Sequence, residues 1–129
     1  MLKALIVDDN AEFRSFLTAL LCERFPDGVV EEASDAVQAL RLIAEGKHDI
    51  MLVDIGLPGA MNGLSLVARI REHSRRPILI ISNYVLPEYQ LEASRLGADW
   101  FLPKVGSSAQ EIIAAVERLT MMGATRPES

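Results

Sequence analysis

The sequence predicts an α/β domain in which five strand–helix pairs build one doubly wound parallel sheet. Three observations carry this. Short apolar runs alternate with longer amphipathic segments along the whole chain. The fourth apolar run, "PILIIS" (77–82), has no alternating polar face, as expected of a strand covered on both sides. The length, 129 residues, suits a single domain with a sizeable core.

Each element has its own signal. "KALIV" (3–7) is the first strand. Asn10 caps a helix whose Phe13, Phe16, Leu17, Leu20 and Leu21 share a face. Pro26-Asp27-Gly28 makes a turn into "VVEEA" (29–33), a weaker strand that belongs at an edge. Asp35 and Gln38 form a capping box before "AVQALRLIAEG", and Gly46 ends that helix. "DIMLVD" (49–54) is the third strand. Asn62-Gly63 opens a helix through about His73, with Leu64, Val67 and Ile70 inward. After "PILIIS", the helix "LPEYQLEASRLG" (86–97) starts with Pro87 in its first turn. "DWFLP" (99–103) is the fifth strand. Ser108 and Glu111 cap a last helix, "EIIAAVERLTMM". Right-handed crossovers are expected, and for a domain of this length the expected strand order is flavodoxin-like, 2-1-3-4-5. The expected domain is 1–122, and 123–129 ("GATRPES") is expected to be a disordered tail or the start of a linker.

Composition narrows the function. Half the residues are hydrophobic, 24% are charged, and the formal net charge is -5. An acidic chain of this kind is a poor direct partner for nucleic acid. The basic run "RIREHSRRP" (69–77) reads as cations complementing a helix C-terminus. The lone cysteine, Cys22, excludes an intrachain disulfide and is expected in the core or at its boundary. The N-terminal apolar run is too short for a signal peptide, and no stretch is long enough for a membrane span, so a soluble cytoplasmic protein is expected.

Candidate chemistry lies at the C-terminal ends of the strands, where doubly wound sheets form their sites. The first strand ends in Asp8-Asp9, the third in Asp54, the fourth in Ser82-Asn83, and the fifth near Lys104. Two carboxylates about 5 Å apart repel by roughly 3 kcal/mol at an effective dielectric of about 20. A lysine offsets some of this, and a divalent cation more. Hard carboxylate oxygens without histidine or cysteine suit magnesium. With such a metal the site could accept a phosphoryl group, with an aspartate carboxylate as nucleophile.

These residues resemble the receiver domain of two-component response regulators, over about residues 2–121. The resemblance rests on the acidic pair in "LIVDDN", the aspartate with a proline four residues on in "VDIGLP", the hydroxyl ending "ILIIS", and the lysine of "FLPK". It implies that Asp54 accepts a phosphoryl group from a sensor histidine kinase or phosphotransfer protein. It implies that Asp9, Asp54 and the Gly56 backbone carbonyl bind Mg2+, with Asp8 acting largely through water. Ser82 would hydrogen-bond the phosphoryl group, Lys104 would pair with it, and Phe101 would be the switch aromatic. Gly56 and Tyr84 occupy the two positions that control phosphoryl access and dephosphorylation.

In this reading the chain is a signalling switch rather than a turnover enzyme. Phosphorylation would reshape the face of the fourth helix, fifth strand and fifth helix to control an output partner or domain. Helix 4 has no Ser, Thr, Asp or Asn directly before Pro87, which leaves its start easy to remodel. If the chain is a fragment, a DNA-binding helix-turn-helix is the family-level expectation for the output. A phosphorylation-dependent homodimer through helices 4 and 5 would use Tyr89, Leu91 and Glu117.

The sequence also departs from the commonest receiver pattern. Val105 follows the lysine where many receivers have proline, which argues against the cis peptide often found there. The loop "GLPGAMNG" is one residue longer than usual. A haloacid-dehalogenase-type phosphatase needs a second aspartate two residues after its nucleophile, but Gly56 and Asn10 stand there. No Walker-type loop, GxGxxG or GxSxG is present, and His48 and His73 are too isolated for zinc. The remaining alternative is a receiver-like interaction module that is never phosphorylated.

Overall fold

A computed structural model of the protein describes residues 1–125. Its elements are β1 (Lys3–Val7), α1 (Ala11–Arg24), β2 (Val29–Ala33), α2 (Ala36–Glu45), β3 (Ile50–Val53), α3 (Gly63–Arg71), β4 (Ile78–Ser82), α4 (Pro87–Leu96), β5 (Trp100–Pro103) and α5 (Ala109–Thr125). All strand pairings are parallel, in the order β2-β1-β3-β4-β5. This is the expected doubly wound, flavodoxin-like sheet. α5 continues to Thr125, beyond the expected Met122 boundary, and residues 126–129 lie outside the described residues.

The two-residue period of a strand divides the core in two. Leu5, Val7, Met51, Val53, Ile78 and Ile80 pack on one face with residues of α2, α3 and α4. Ala4, Ile6, Ile50, Leu52, Leu79 and Ile81 pack on the other with residues of α1 and α5. β1, β3 and β4 are buried almost throughout, whereas β2 and β5 are partly exposed edges. The burial that makes β3 apolar along its length also carries Asp54 into the protein.

Local signals set the helix ends. Asn10, Asp35 and Asn62 each accept a backbone N–H from their own helix's first turn. Gln38 returns its side chain to the Ser34 N–H rather than to Asp35. Ser108 and Glu111 exchange both bonds of a capping box. Leu86, at the N-cap of α4, provides no side-chain bond.

Two packing expectations are corrected. Cys22 is exposed on α1, next to buried Leu21. Phe16 is also exposed and leans on the Phe13 ring. α1 buries Leu17 and Leu21 against the sheet with Phe13 and Leu20 partly buried beside them, and Phe16 falls outside that contact. Arg71 lies in the last turn of α3, as its reading as a dipole-complementing cation expects, and also joins a part-buried network. It bonds Asp99 Oδ2 (2.8 Å) and the Gly97 carbonyl (2.9 Å), while Asp99 also accepts the Ile78 N–H (2.8 Å).

The longer loop after β3 is accommodated at its tip. Pro58, Gly59 and Ala60 are exposed, and Gly59 has a φ of 92° with open space around it. Both loop ends are pinned: Ile55 is buried, and its carbonyl accepts the Gly63 N–H (2.9 Å). Gly63 sits directly against the backbone of Asp54. A Cβ at position 63 would lie 2.0 Å from the Asp54 carbonyl oxygen. Backbone cannot yield as a side-chain tip can, so Gly63→Ala should cost about 3 kcal/mol in urea unfolding, the upper range for overpacking. Gly59→Ala should cost only about 1 kcal/mol, through its positive φ alone.

Candidate functional site

β1 and β3 are neighbours, so their ends bring Asp8, Asp9 and Asp54 together. The register is fixed where it matters. The Asp54 N–H donates to the Val7 carbonyl (2.9 Å) and the Asp8 N–H to the Ala33 carbonyl (3.0 Å). Each of the three aspartates offers a carboxylate oxygen within 4.8 Å of the others. Asp8 and Asp54 are buried, and Asp9 is exposed at the rim.

Lys104 reaches this cluster from the turn after β5. Its Nζ lies 2.8 Å from Asp8 Oδ2 and 3.2 Å from Asp54 Oδ2. The Lys104 N–H also donates to the Ser82 carbonyl (3.0 Å), which ties the lysine's loop to the end of β4. Ser82 is fully buried, and its Oγ accepts the Tyr84 N–H (3.1 Å). The Lys104–Val105 peptide is trans. Phe101 is half-buried, opposite Ile80 in the β4–β5 ladder, and packs against the core on the α4 side.

Several contributors were not visible as site residues in the sequence. The Phe13 ring lies 4.6 Å from Lys104 Nζ, a cation–π contact that helps fix the ammonium. Arg14 donates to the Asp8 carbonyl (2.6 Å), and its Nε pairs with Glu32 (2.9 Å). The Asn10 N–H donates to Asp8 Oδ1 (2.8 Å). Phe13 read only as part of an apolar helix face, because nothing local marks its distant partner. Gly63 read only as a helix start.

The Gly56 N–H donates to Asp54 Oδ1 (3.2 Å). Tyr84 borders Gly56: a Cβ at 56 would lie 3.2 Å from the tyrosine Cε2. Tyr84 stacks on Tyr89, with ring centroids 5.4 Å apart. Leu91 is exposed on α4, Tyr89 is half-buried, and Glu117 pairs with Arg24 of α1. His48 is buried beside Glu31, and His73 is exposed.

Electrostatics follow from this packing. Burial pushes the Asp8 carboxyl above its usual range, although Lys104 and the Asn10 N–H pull the other way. Burial also works against the Lys104 ammonium, but Asp8 and Asp54 together outweigh it and hold its pKa above the ordinary lysine value. The donor set is all hard oxygen, with no histidine or cysteine in the cluster, so it fits a small divalent cation.

Comparison with known proteins agrees with the geometry. A family profile described as response regulator receiver domain matches residues 4–117. The chain is 35% identical over 108 residues to the transcriptional regulatory protein YdfI of Bacillus subtilis, covering 84% of this chain and 50% of that protein. It is 36% identical over 104 residues to the two-component response regulator PhoP of Pseudomonas aeruginosa, covering 80% and 45%. The chain thus spans about half the length of these curated relatives. A CheY-like receiver domain protein from Methanospirillum hungatei shares the fold, with a TM-score of 0.87, 22% identity, and coverage of 96% of this chain and 97% of that one.

A raised native pKa for Asp8 has a definite sign. Its contribution to stability is greatest below the ordinary carboxylate pKa and is lost as pH rises through the raised value. At neutral pH without metal, Asp8→Asn should therefore stabilise the fold, read as a higher midpoint in urea unfolding. The gain should shrink as pH falls through the raised pKa, and added divalent cation should stabilise the wild type more than the variant.

Proposed function

The chain belongs to the response regulator receiver domain family, and we propose that it is a phosphorylation-dependent switch with Asp54 as phosphoacceptor. The observation that carries this is the buried Asp54 carboxylate, held beside Asp8 and Asp9 with one oxygen turned to Lys104. The donor is a sensor histidine kinase or phosphotransfer protein. An Asp54 oxygen attacks phosphorus, the phosphorus–nitrogen bond breaks, and its electron pair leaves with the donor imidazole. Asp8, Asp9, Asp54 and the Gly56 carbonyl would hold Mg2+, which when bound neutralises charge on the phosphoryl oxygens. A receiver domain is not a turnover enzyme; its product is a changed shape.

The chain's own residues make the change. A phosphoryl group adds negative charge and acceptor oxygens beside Asp54. Lys104, now shared between two carboxylates, gains a stronger partner. The Ser82 hydroxyl can donate to a phosphoryl oxygen while Tyr84 relinquishes its bond to Ser82 Oγ. Phe101 moves into space that Ser82 leaves. Because α4 has no side-chain cap, its start responds at little cost. The α4–β5–α5 face would then engage an output partner or domain, or a second copy through the exposed Leu91. The transcriptional regulatory protein among the relatives supports a transcriptional output in a longer protein, for which a DNA-binding helix-turn-helix is the form we propose.

Incubation with acetyl phosphate and Mg2+ should give a single phosphoryl adduct by intact mass. Asp54→Asn or chelation of the metal should abolish it. A wild-type protein that takes no phosphoryl group from acetyl phosphate or a cognate kinase would leave the unphosphorylated interaction module as the better reading. With a phosphoryl mimic bound, amide exchange should change at residues 84–90, and unchanged exchange there would rule out the α4 route.

A further inference from the structure

We propose that Tyr89 is a positioning residue for phosphoryl lifetime: it holds the Tyr84 ring over the side of Asp54 that Gly56 leaves open. This rests on the switch reading above. Gly56 has no side chain, and the space one would use is taken by Tyr84. A Cβ at 56 would meet Cε2, Cζ and the hydroxyl of that ring at 3.2–3.3 Å. The same glycine's N–H bonds Asp54 Oδ1, so the phenol borders the residue that holds one face of the acceptor carboxylate.

A half-exposed tyrosine in a loop has many rotamers open to it. Tyr84 is constrained at two points. Its N–H is bonded to Ser82 Oγ, and its ring stacks on Tyr89 at 5.4 Å with 26° between the planes. Tyr89 is the anchored member: it is half-buried in the first turns of α4 and packs against the core beneath α2, α3 and α4. The Tyr84 backbone is thus tied to the end of β4, by a bond that the switch gives up, while its ring beside Gly56 is tied to helix α4 through Tyr89.

Hydrolysis of the aspartyl phosphate needs a water oxygen to attack phosphorus. The phosphorus–oxygen bond to Asp54 breaks, the carboxylate takes the electron pair, and phosphate leaves with the water's proton passing to solvent. A ring held at Gly56 narrows the approach of that water. Tyr89→Ala removes the stacking partner and should release the ring, while Tyr89→Phe keeps it.

The test uses the full chain loaded with acetyl phosphate and Mg2+, with adduct decay followed by intact mass. Tyr89→Ala should shorten the lifetime about two- to tenfold, the factor by which losing an aromatic pair shifts a two-state population. Tyr89→Phe should match the wild type. Tyr84→Ala should shorten the lifetime equally, and the double variant Tyr84→Ala/Tyr89→Ala should be no shorter than either single one. In unphosphorylated protein, the Gly56 amide resonance should lose its ring-current shift in Tyr89→Ala and keep it in Tyr89→Phe. Equal lifetimes in wild type and Tyr89→Ala, an unmoved Gly56 resonance, or a further loss in the double variant would overturn the proposal while leaving the switch intact. Absence of any adduct on the wild type would overturn the switch reading and this one with it.

Discussion

Asp8 and Asp54 sit almost buried at the ends of adjacent strands, and their mutual repulsion has to be offset inside the protein. Lys104 does this, with its ammonium 2.8 and 3.2 Å from the two carboxylates. Its own position is over-determined. The Phe13 ring lies against the ammonium, and the Lys104 N–H is bonded to the Ser82 carbonyl. β1, β3, β4, β5 and α1 therefore all contribute to one charge balance. Any change in negative charge beside Asp54 alters the pull on Lys104, and through its loop the end of β4. That coupling needs no long pathway, because the groups concerned are direct neighbours.

Much of the fold was legible because it rests on short-range patterns. The mainly apolar β1 and β4 and the all-apolar β3, the caps at Asn10, Asp35, Asn62 and Ser108, and the glycine ending α4 each reflect a local rule. The strand order was expected from the five strand–helix pairs and the chain length. The placing of Asp8, Asp9, Asp54, Ser82 and Lys104 at one sheet edge was equally readable, since each closes or follows a strand. What escaped was everything set by distant contacts. Phe13 carries no mark that a lysine 91 positions later will lie on its ring. Arg14 and Gly63 are likewise defined by the backbones of Asp8 and Asp54. Cys22 and Phe16 were misread for the converse reason: helical periodicity shows which residues share a face, not how much of it the sheet covers.

The two ends of α4 differ in a way that matters for a switch. Its C-terminus is fixed. Gly97 closes the helix at a φ of 114° and gives its carbonyl to Arg71, and a Cβ at 97 would strike that arginine 2.8 Å away. Arg71 in turn pairs with Asp99, which bonds the first residue of β4. Both charges are mostly buried, so this is a costly network to break. The N-terminus has Pro87 and no side-chain cap. It is held through the Tyr84–Tyr89 stack and through the bond from Tyr84 to Ser82.

A helix fastened at one end and lightly held at the other responds to a small push by pivoting. The push is available where the helix is weakest, because Ser82 and Tyr84 lie between the carboxylate cluster and the first turn of α4. Local stability is spent unevenly across the domain: Arg71 and Asp99 secure the end of the sheet remote from the carboxylates, while the carboxylate end keeps a charged cluster and an uncapped helix start. Such an arrangement confines motion to the side on which the charge changes. Ligands or modifications at Asp54 can then shift the α4 surface only by the difference in contacts they make with its two positions. Ser82, Tyr84 and Lys104 are where those differences arise, since each already holds a bond that a new negative group beside Asp54 would compete for.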